Sequence, residues 1–164
     1  MGRPMPDPAF YARTARRGEN GSLICQTNED AQIEREIAAI VSAEWNCKVR
    51  HFPPFSPIDW YAERSGRVAG LLEVKNRSVS TGQYPTVFCT LRKWLSLSYC
   101  SMAFFVPGIF VVRFTDDLLW VDIGKIQPPM MREGGTAYRP NIGRRVAEPM
   151  LEIPMAELRR VRRS

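Results

Sequence analysis

The stretch Ser56–Arg77, SPIDWYAERSGRVAGLLEVKNR, constrains the fold of this chain more than any other. Its later part holds Val68, Ala69, Leu71 and Leu72, a short β-compatible apolar run bounded by turn residues, which reads as a strand. An alternating segment precedes it, and Ser65-Gly66 between the two reads as a turn. Side chains at i and i+2 of a strand share a face, so Glu73 and Lys75 are neighbours and Val74 points the other way. A hairpin of residues 58–63 and 67–75 brings Asp59 level with Glu73 across the ladder. Two carboxylates and an ammonium group then meet at a strand end.

Chemistry has a use for such a cluster. Two carboxylates on a rigid sheet suit a hard divalent cation such as Mg²⁺, which prefers oxygen ligands and keeps several waters. The ion acidifies a water and neutralises charge on a phosphate, and a nearby lysine can orient or stabilise the nucleophile. Glu-x-Lys alone is an ordinary strand ion pair, contributing roughly 0.2–1 kcal/mol. Asp59, fourteen positions before Glu73, together with the hairpin and the flanking helices, gives it meaning. In these residues the sequence resembles the PD-(D/E)XK nuclease superfamily, whose signature is an acidic residue, a spacer and Glu-x-Lys. The proline that usually adjoins the acid stands here at Pro57, with Ile58 between.

The resemblance implies an α/β (α+β) domain with a restriction-endonuclease-like core, a mixed β-sheet flanked by helices in the order α-β-β-β-α-β-β. It implies a Mg²⁺-dependent (or Mn²⁺-dependent) deoxyribonuclease that hydrolyses phosphodiester bonds through a Mg-activated water and leaves a 5′-phosphate. Asp59 and Glu73 would hold the metal, with Glu34 assisting, and Lys75 would position or stabilise the attacking hydroxide. The partner would be DNA, duplex or branched. A small stand-alone member of this kind is phage-type or resolvase-like, acts inside a cell, and needs a homodimer to cut both strands. It would work alone or take its targeting from a protein partner.

The rest of the chain divides around that core. Residues 1–27 read as a flexible basic arm in which Met1–Pro8 carries three prolines, and Arg13, Arg16 and Arg17 follow. A helix begins at Thr27-Asn28, either of which can cap it, with Glu29 and Asp30 in its first turn. Ile33, Ile37, Ile40, Val41 and Trp45 form its apolar stripe. Glu34 falls on the rim of that stripe and Glu36 further towards solvent, which makes Glu34 the candidate third carboxylate and Glu36 the reserve.

Asn46–Phe52 reads as a first strand with Val49 inward, and Pro53-Pro54 breaks it. Arg77 continues the Glu73–Lys75 face and can reach a phosphate. After a polar loop, Thr86–Cys100 reads as a second helix with Leu91, Trp94, Leu95 and Leu97 or Ser98 inward. Gln83, Tyr84 and Lys93 are the positions near this helix that could contact nucleic acid. Met102–Phe114 contains a buried strand over 109–114, and a strand over 118–123 follows the Asp116-Asp117 turn.

The nuclease core thus covers residues 28–126, and a Pro/Gly/Arg-rich extension covers 127–164. Arg139, Arg144, Arg145 and the arginines of a short helix after Pro154 could neutralise backbone phosphates without reading sequence.

Composition narrows the alternatives. The 164 residues suffice for one domain with a real core, and a net charge of +6 fits a polyanionic partner. Cys25, Cys47, Cys89 and Cys100 show no CxxC pairing and no histidine at ligand spacing, which argues against zinc, and the lack of a signal-peptide pattern suggests a reducing, intracellular setting. A single histidine, His51, disfavours histidine-based nuclease mechanisms. The run 102–112 is broken by Pro107-Gly108 and too short to span a bilayer. No P-loop, G-x-G-x-x-G or G-x-S-x-G occurs. Two other readings compete: a catalytically inactive nucleic-acid-binding protein of the same fold, and a scaffold binding a protein through 102–114.

Overall fold

The computed structural model describes residues 16–17, 23–24, 28–53, 56–127, 129–139 and 144–161, with side chains for 30–53, 56–127, 129–133 and 146–161. Strands β1 (Arg16–Arg17) and β2 (Leu23–Ile24) pair antiparallel. Helix α1 (Asn28–Glu44) follows, then β3 (Lys48–His51), β4 (Trp60–Arg64), β5 (Arg67–Asn76) and β6 (Thr86–Thr90). Helix α2 (Leu91–Phe104) leads into β7 (Gly108–Arg113) and β8 (Leu118–Asp122). The chain ends in β9 (Met130–Arg139), β10 (Arg144–Pro154) and β11 (Arg159–Arg160).

A six-stranded sheet in the order β11-β8-β7-β5-β4-β3 forms the centre. β5 and β7 run parallel and every other neighbouring pair is antiparallel, so the sheet is mixed. Parallel neighbours cannot be joined by a tight turn. The connection from β5 to β7 therefore carries β6 and α2, and this is what brings α2 over the sheet. A second, antiparallel sheet in the order β6-β10-β9 completes the described chain.

Alternation along the strands gives each face of the central sheet its own core. Trp60, Ala62, Leu72, Ile109, Val111 and Leu118 pack with Ile37 and Val41 of α1. Ile37 and Val41 are both fully buried, and each contributes about 1.5–3 kcal/mol by leaving water. Ile33, Ile40, Trp45 and Val49 pack at the edge of this cluster, as the apolar stripe and the inward Val49 anticipate. On the other face Leu71, Phe110, Val112, Leu119 and Val121 pack with Leu97 of α2, Val87 and Cys89 of β6, and Ile153 of β10.

The β4–β5 hairpin forms as the sequence predicts. Arg64 pairs with Arg67 across a two-residue loop, Ser65-Gly66, whose φ angles of 52° and 74° are both left-handed. Such a turn matches the twist of a hairpin and favours Gly at its second position. The register shifts once, between Ala62 and Glu63, and then runs unbroken to Trp60 opposite Leu72.

Three expectations need correction. Residues 86–90 are a strand, not the first turns of a helix, and α2 starts only at Leu91. Thr-Val-Phe-Cys-Thr is β-branched or aromatic at four of five positions and pairs along its length with β10. The helix also runs beyond Cys100 to Phe104 and closes at Phe105, whose φ is 53°. The apolar stretch 102–114 is therefore split between the end of α2 and an interior strand. Met102, Phe104 and Phe105 are exposed, whereas Gly108–Val112 are buried. Third, the segment after Pro154 is one 3₁₀ turn, Met155–Glu157, and Arg159-Arg160 lie in β11. Leu118 O accepts from Val161 N, and Val161 is buried in the α1-side core.

Most of residues 1–27 and the side chains of Arg139, Arg144, Arg145, Arg162 and Arg163 lie outside the described residues. No helix among the described residues is long and apolar enough to cross a membrane.

Candidate active site

Continuing the β4–β5 register by one residue past Trp60–Leu72 sets Asp59 level with Glu73. Asp59 Oδ2 accepts from Val74 N at 3.2 Å, which fixes the aspartate to the strand carrying Glu73. Glu73 alternates with Leu71 on the face that α2 covers. Its burial is unusual for an acid, since only 6% of the residue is exposed.

Helix α2 supplies the third member. Thr90 is its N-cap, with Oγ1 accepting from Lys93 N at 3.3 Å. The cap places Lys93 in the first turn, with its side chain over the sheet. Lys93 Nζ donates to Asp59 Oδ1 at 2.7 Å and to Glu73 Oε2 at 2.8 Å. Oxygens from the residue just before β4 and from β5 thus converge on one cationic position. Carboxylates that converge this way form a donor set suited to a hard divalent cation.

The electrostatics follow from burial. Desolvation, reinforced by the Asp59 charge, pushes the Glu73 carboxyl up to about 8, against the opposing pull of Lys93. Burial alone would lower Lys93, but the two acids outweigh it and hold the ammonium above its ordinary value. Cys89 lies on the same side, and burial followed by the nearby Glu73 pushes its thiol up to about 12. It is a packing residue here, not a nucleophile.

Lys75 is exposed two residues beyond Glu73 on the same face, as strand alternation requires. Its side chain makes no hydrogen bond or ion pair among the described residues, so it is available to solvent or a ligand. Arg77 is half-buried, and its Nη2 donates to Phe88 O at 2.6 Å. It lines a cleft of about 580 Å³ together with Tyr84, Phe88, Phe114 and Arg132. Gln83 is exposed in the loop before β6, with its Nε2 3.3 Å from Tyr84 Oη.

Glu34 is not brought into the cluster. α1 packs on the Leu72–Val111 face, opposite to that of Glu73. Among the described residues no group of three His, Cys, Asp or Glu side chains stands ready for a metal. The reserve, Glu36, accepts from Gln32 Nε2 at 3.0 Å and lies 3.9 Å from Arg113. Asp116 accepts from Thr81 N and Oγ1, and Asp117 Oδ1 accepts from Leu118 N, so this acid pair does belong to a turn.

Lys93, a candidate DNA contact by its place near the start of the helix, contacts both acids in this structure. The signal that finds it is Thr90, a capping residue three positions ahead at the end of a β-type pentapeptide.

Comparison with known families decides the matter of kinship. Residues 24–161 match the family described as "Phage putative PDDEXK endonuclease". The chain belongs to this family. Asp59, Glu73 and Lys75 are its residues that fit the motif after which the family is named, and the mixed sheet with a helix on each face is the core expected from it. No curated protein matches the sequence. Among solved structures the chain is similar to Archaeoglobus fulgidus Hjc, a Holliday junction resolvase from an archaeal hyperthermophile, at 10% identity and a TM-score of 0.48. That likeness covers 76% of this chain and 84% of the other.

Proposed function

We propose that this family member is a metal-dependent DNA endonuclease that hydrolyses phosphodiester bonds and leaves 5′-phosphate ends. The observation that carries the reading is the convergence of Asp59 and Glu73 on one cationic position, 2.7 and 2.8 Å from the same nitrogen. Asp59 and Glu73 would hold Mg²⁺ or Mn²⁺. When bound, the ion would acidify a water and neutralise charge building up on the phosphate. Two carboxylates leave most of the coordination sphere to water and phosphate oxygen, as Mg²⁺ ordinarily prefers.

The chain's own groups have distinct tasks in this reading. Lys75, exposed beside Glu73, orients the attacking water and stabilises the negative charge that develops on it. Asp59 is held by Val74 N and Glu73 by the interior of the sheet, so neither needs to reorganise as charge develops. Arg77, Gln83, Arg144 and Arg145 are assigned to the DNA backbone. A net charge of +6 supports a polyanionic substrate.

The test is cleavage of supercoiled plasmid and linear duplex with Mg²⁺ or Mn²⁺, comparing wild type, Asp59→Asn and Lys75→Ala. Metal-dependent cleavage that is lost in both variants, with ends that ligate without added phosphate, is the expected result. Equal activity in all three proteins would remove the site assignment. Salt-sensitive DNA binding without cleavage of duplex, single-stranded or branched DNA would leave a binding protein instead.

A further inference from the structure

The central cation of the cluster belongs to the protein itself. Lys93 Nζ lies 2.7 Å from Asp59 Oδ1 and 2.8 Å from Glu73 Oε2, leaving no room between those oxygens for a second cation. The lysine is anchored at its backbone by the Thr90 cap, and its side chain is 20% exposed. Such a group is held in place but can still swing outwards by rotating its long stem.

We propose that Lys93 is a tethered counter-ion that occupies the metal position and must be displaced before a divalent ion can bind. This deepens, and rests on, the metal-dependent reading above. In the metal-free protein the lysine donates to both acids, whose charges would repel one another if both were ionised. A divalent ion carries twice the charge and takes over those oxygens, and Lys93 moves out of the cluster. Its ammonium, freed at the mouth of the same site, is then placed to meet a phosphate oxygen of the DNA. Metal and phosphate arriving together satisfy both the acids and the lysine, whereas metal alone must strand the lysine. Metal binding is therefore weaker without DNA than the two carboxylates would otherwise support. A ligand whose competent state is only partly populated binds with correspondingly reduced apparent affinity.

The experiment counts Mn²⁺ bound to the full chain by EPR at pH 8, without DNA, in wild type, Lys93→Met and Asp59→Asn. Displacement predicts binding about tenfold tighter in Lys93→Met than in wild type. Weaker or unchanged binding in Lys93→Met would overturn the proposal, since Lys93 would then be assembling the ligands rather than competing with the ion. A second measurement needs no variant that might be misfolded: the Lys93 side-chain NMR signals of wild type must move when Mg²⁺ is added. Signals that stay in place at saturating Mg²⁺ would overturn the proposal equally. The reading beneath it fails differently, through no Mn²⁺ binding in either protein or binding that survives Asp59→Asn.

Discussion

Thr90 Oγ1 accepts from Lys93 N at 3.3 Å, and this cap marks where α2 begins and anchors the backbone of the lysine whose side chain reaches both acids. Thr90→Ala leaves an N–H of the first helical turn without its partner, which costs about 1 kcal/mol. We expect urea unfolding to show that loss, and Thr90→Ser to recover most of it. In Thr90→Ala the Lys93 side-chain signals should also become averaged, because the first turn that carries the residue frays. A variant as stable as wild type would show that packing against β5, not the cap, positions the helix.

Gly108 governs how closely α2 approaches the sheet. A Cβ there would lie 3.1 Å from Leu97 Cγ and Ser101 Cβ and 3.2 Å from Ile123 Cγ1. All three atoms sit near their own backbones and none is the free end of a long side chain. Gly108→Ala should therefore destabilise by about 1–3 kcal/mol through overpacking. Gly82 is the control, since nothing lies within 4 Å of a Cβ built there. Gly82→Ala should be neutral or slightly stabilising, up to about 1 kcal/mol, by restricting the unfolded chain. Chemical denaturation of the two variants side by side tests the pair.

The sequence made the hairpin and its acids legible, and physical reasons explain what it hid. Asp59, Ser65-Gly66 and Glu73 lie within one local element, where alternation and turn chemistry dictate register. Even the single register irregularity leaves the acids level, because it lies between them and the turn. β6 was hidden because its partner, β10, is some sixty residues away, and strand pairing at that distance leaves no local pattern. Reading residues 86–90 as helix shifts the helix start, and with it the turn that carries Lys93. Where Glu34 stands relative to the acids is not legible for a related reason. Helix phase shows which side of α1 is buried, but not which face of the sheet it covers.

Cys89 should be inert in the folded protein. It is 5% exposed, and burial together with Glu73 pushes its thiol up to about 12. At pH 8 almost none of it is the reactive thiolate. Iodoacetamide followed by peptide mass spectrometry should find Cys89 unmodified in native protein and modified in urea. Fast native labelling at Cys89 would mean that β6 opens away from the sheet and exposes the site's inner wall.

Glu73 makes the metal-free protein sensitive to alkali. Its folded value of about 8 stands above the ordinary carboxylate value of 4.5, so the folded state holds the proton more tightly than the unfolded chain does. The stabilisation is complete below about 4.5 and is lost as pH rises through about 8. Its size is on the order of a few kcal/mol, because Glu73 is almost wholly buried and little screened by solvent. Urea unfolding in a chelator at pH 5.5 and pH 8.5 should show wild type weakening across this range by more than Glu73→Gln. The glutamine resembles the protonated acid and has no proton to lose, so its own decline reports every other titrating group. Parallel declines in the two proteins would mean that Glu73 is already ionised at pH 5.5, with Lys93 outweighing the cost of burying its charge.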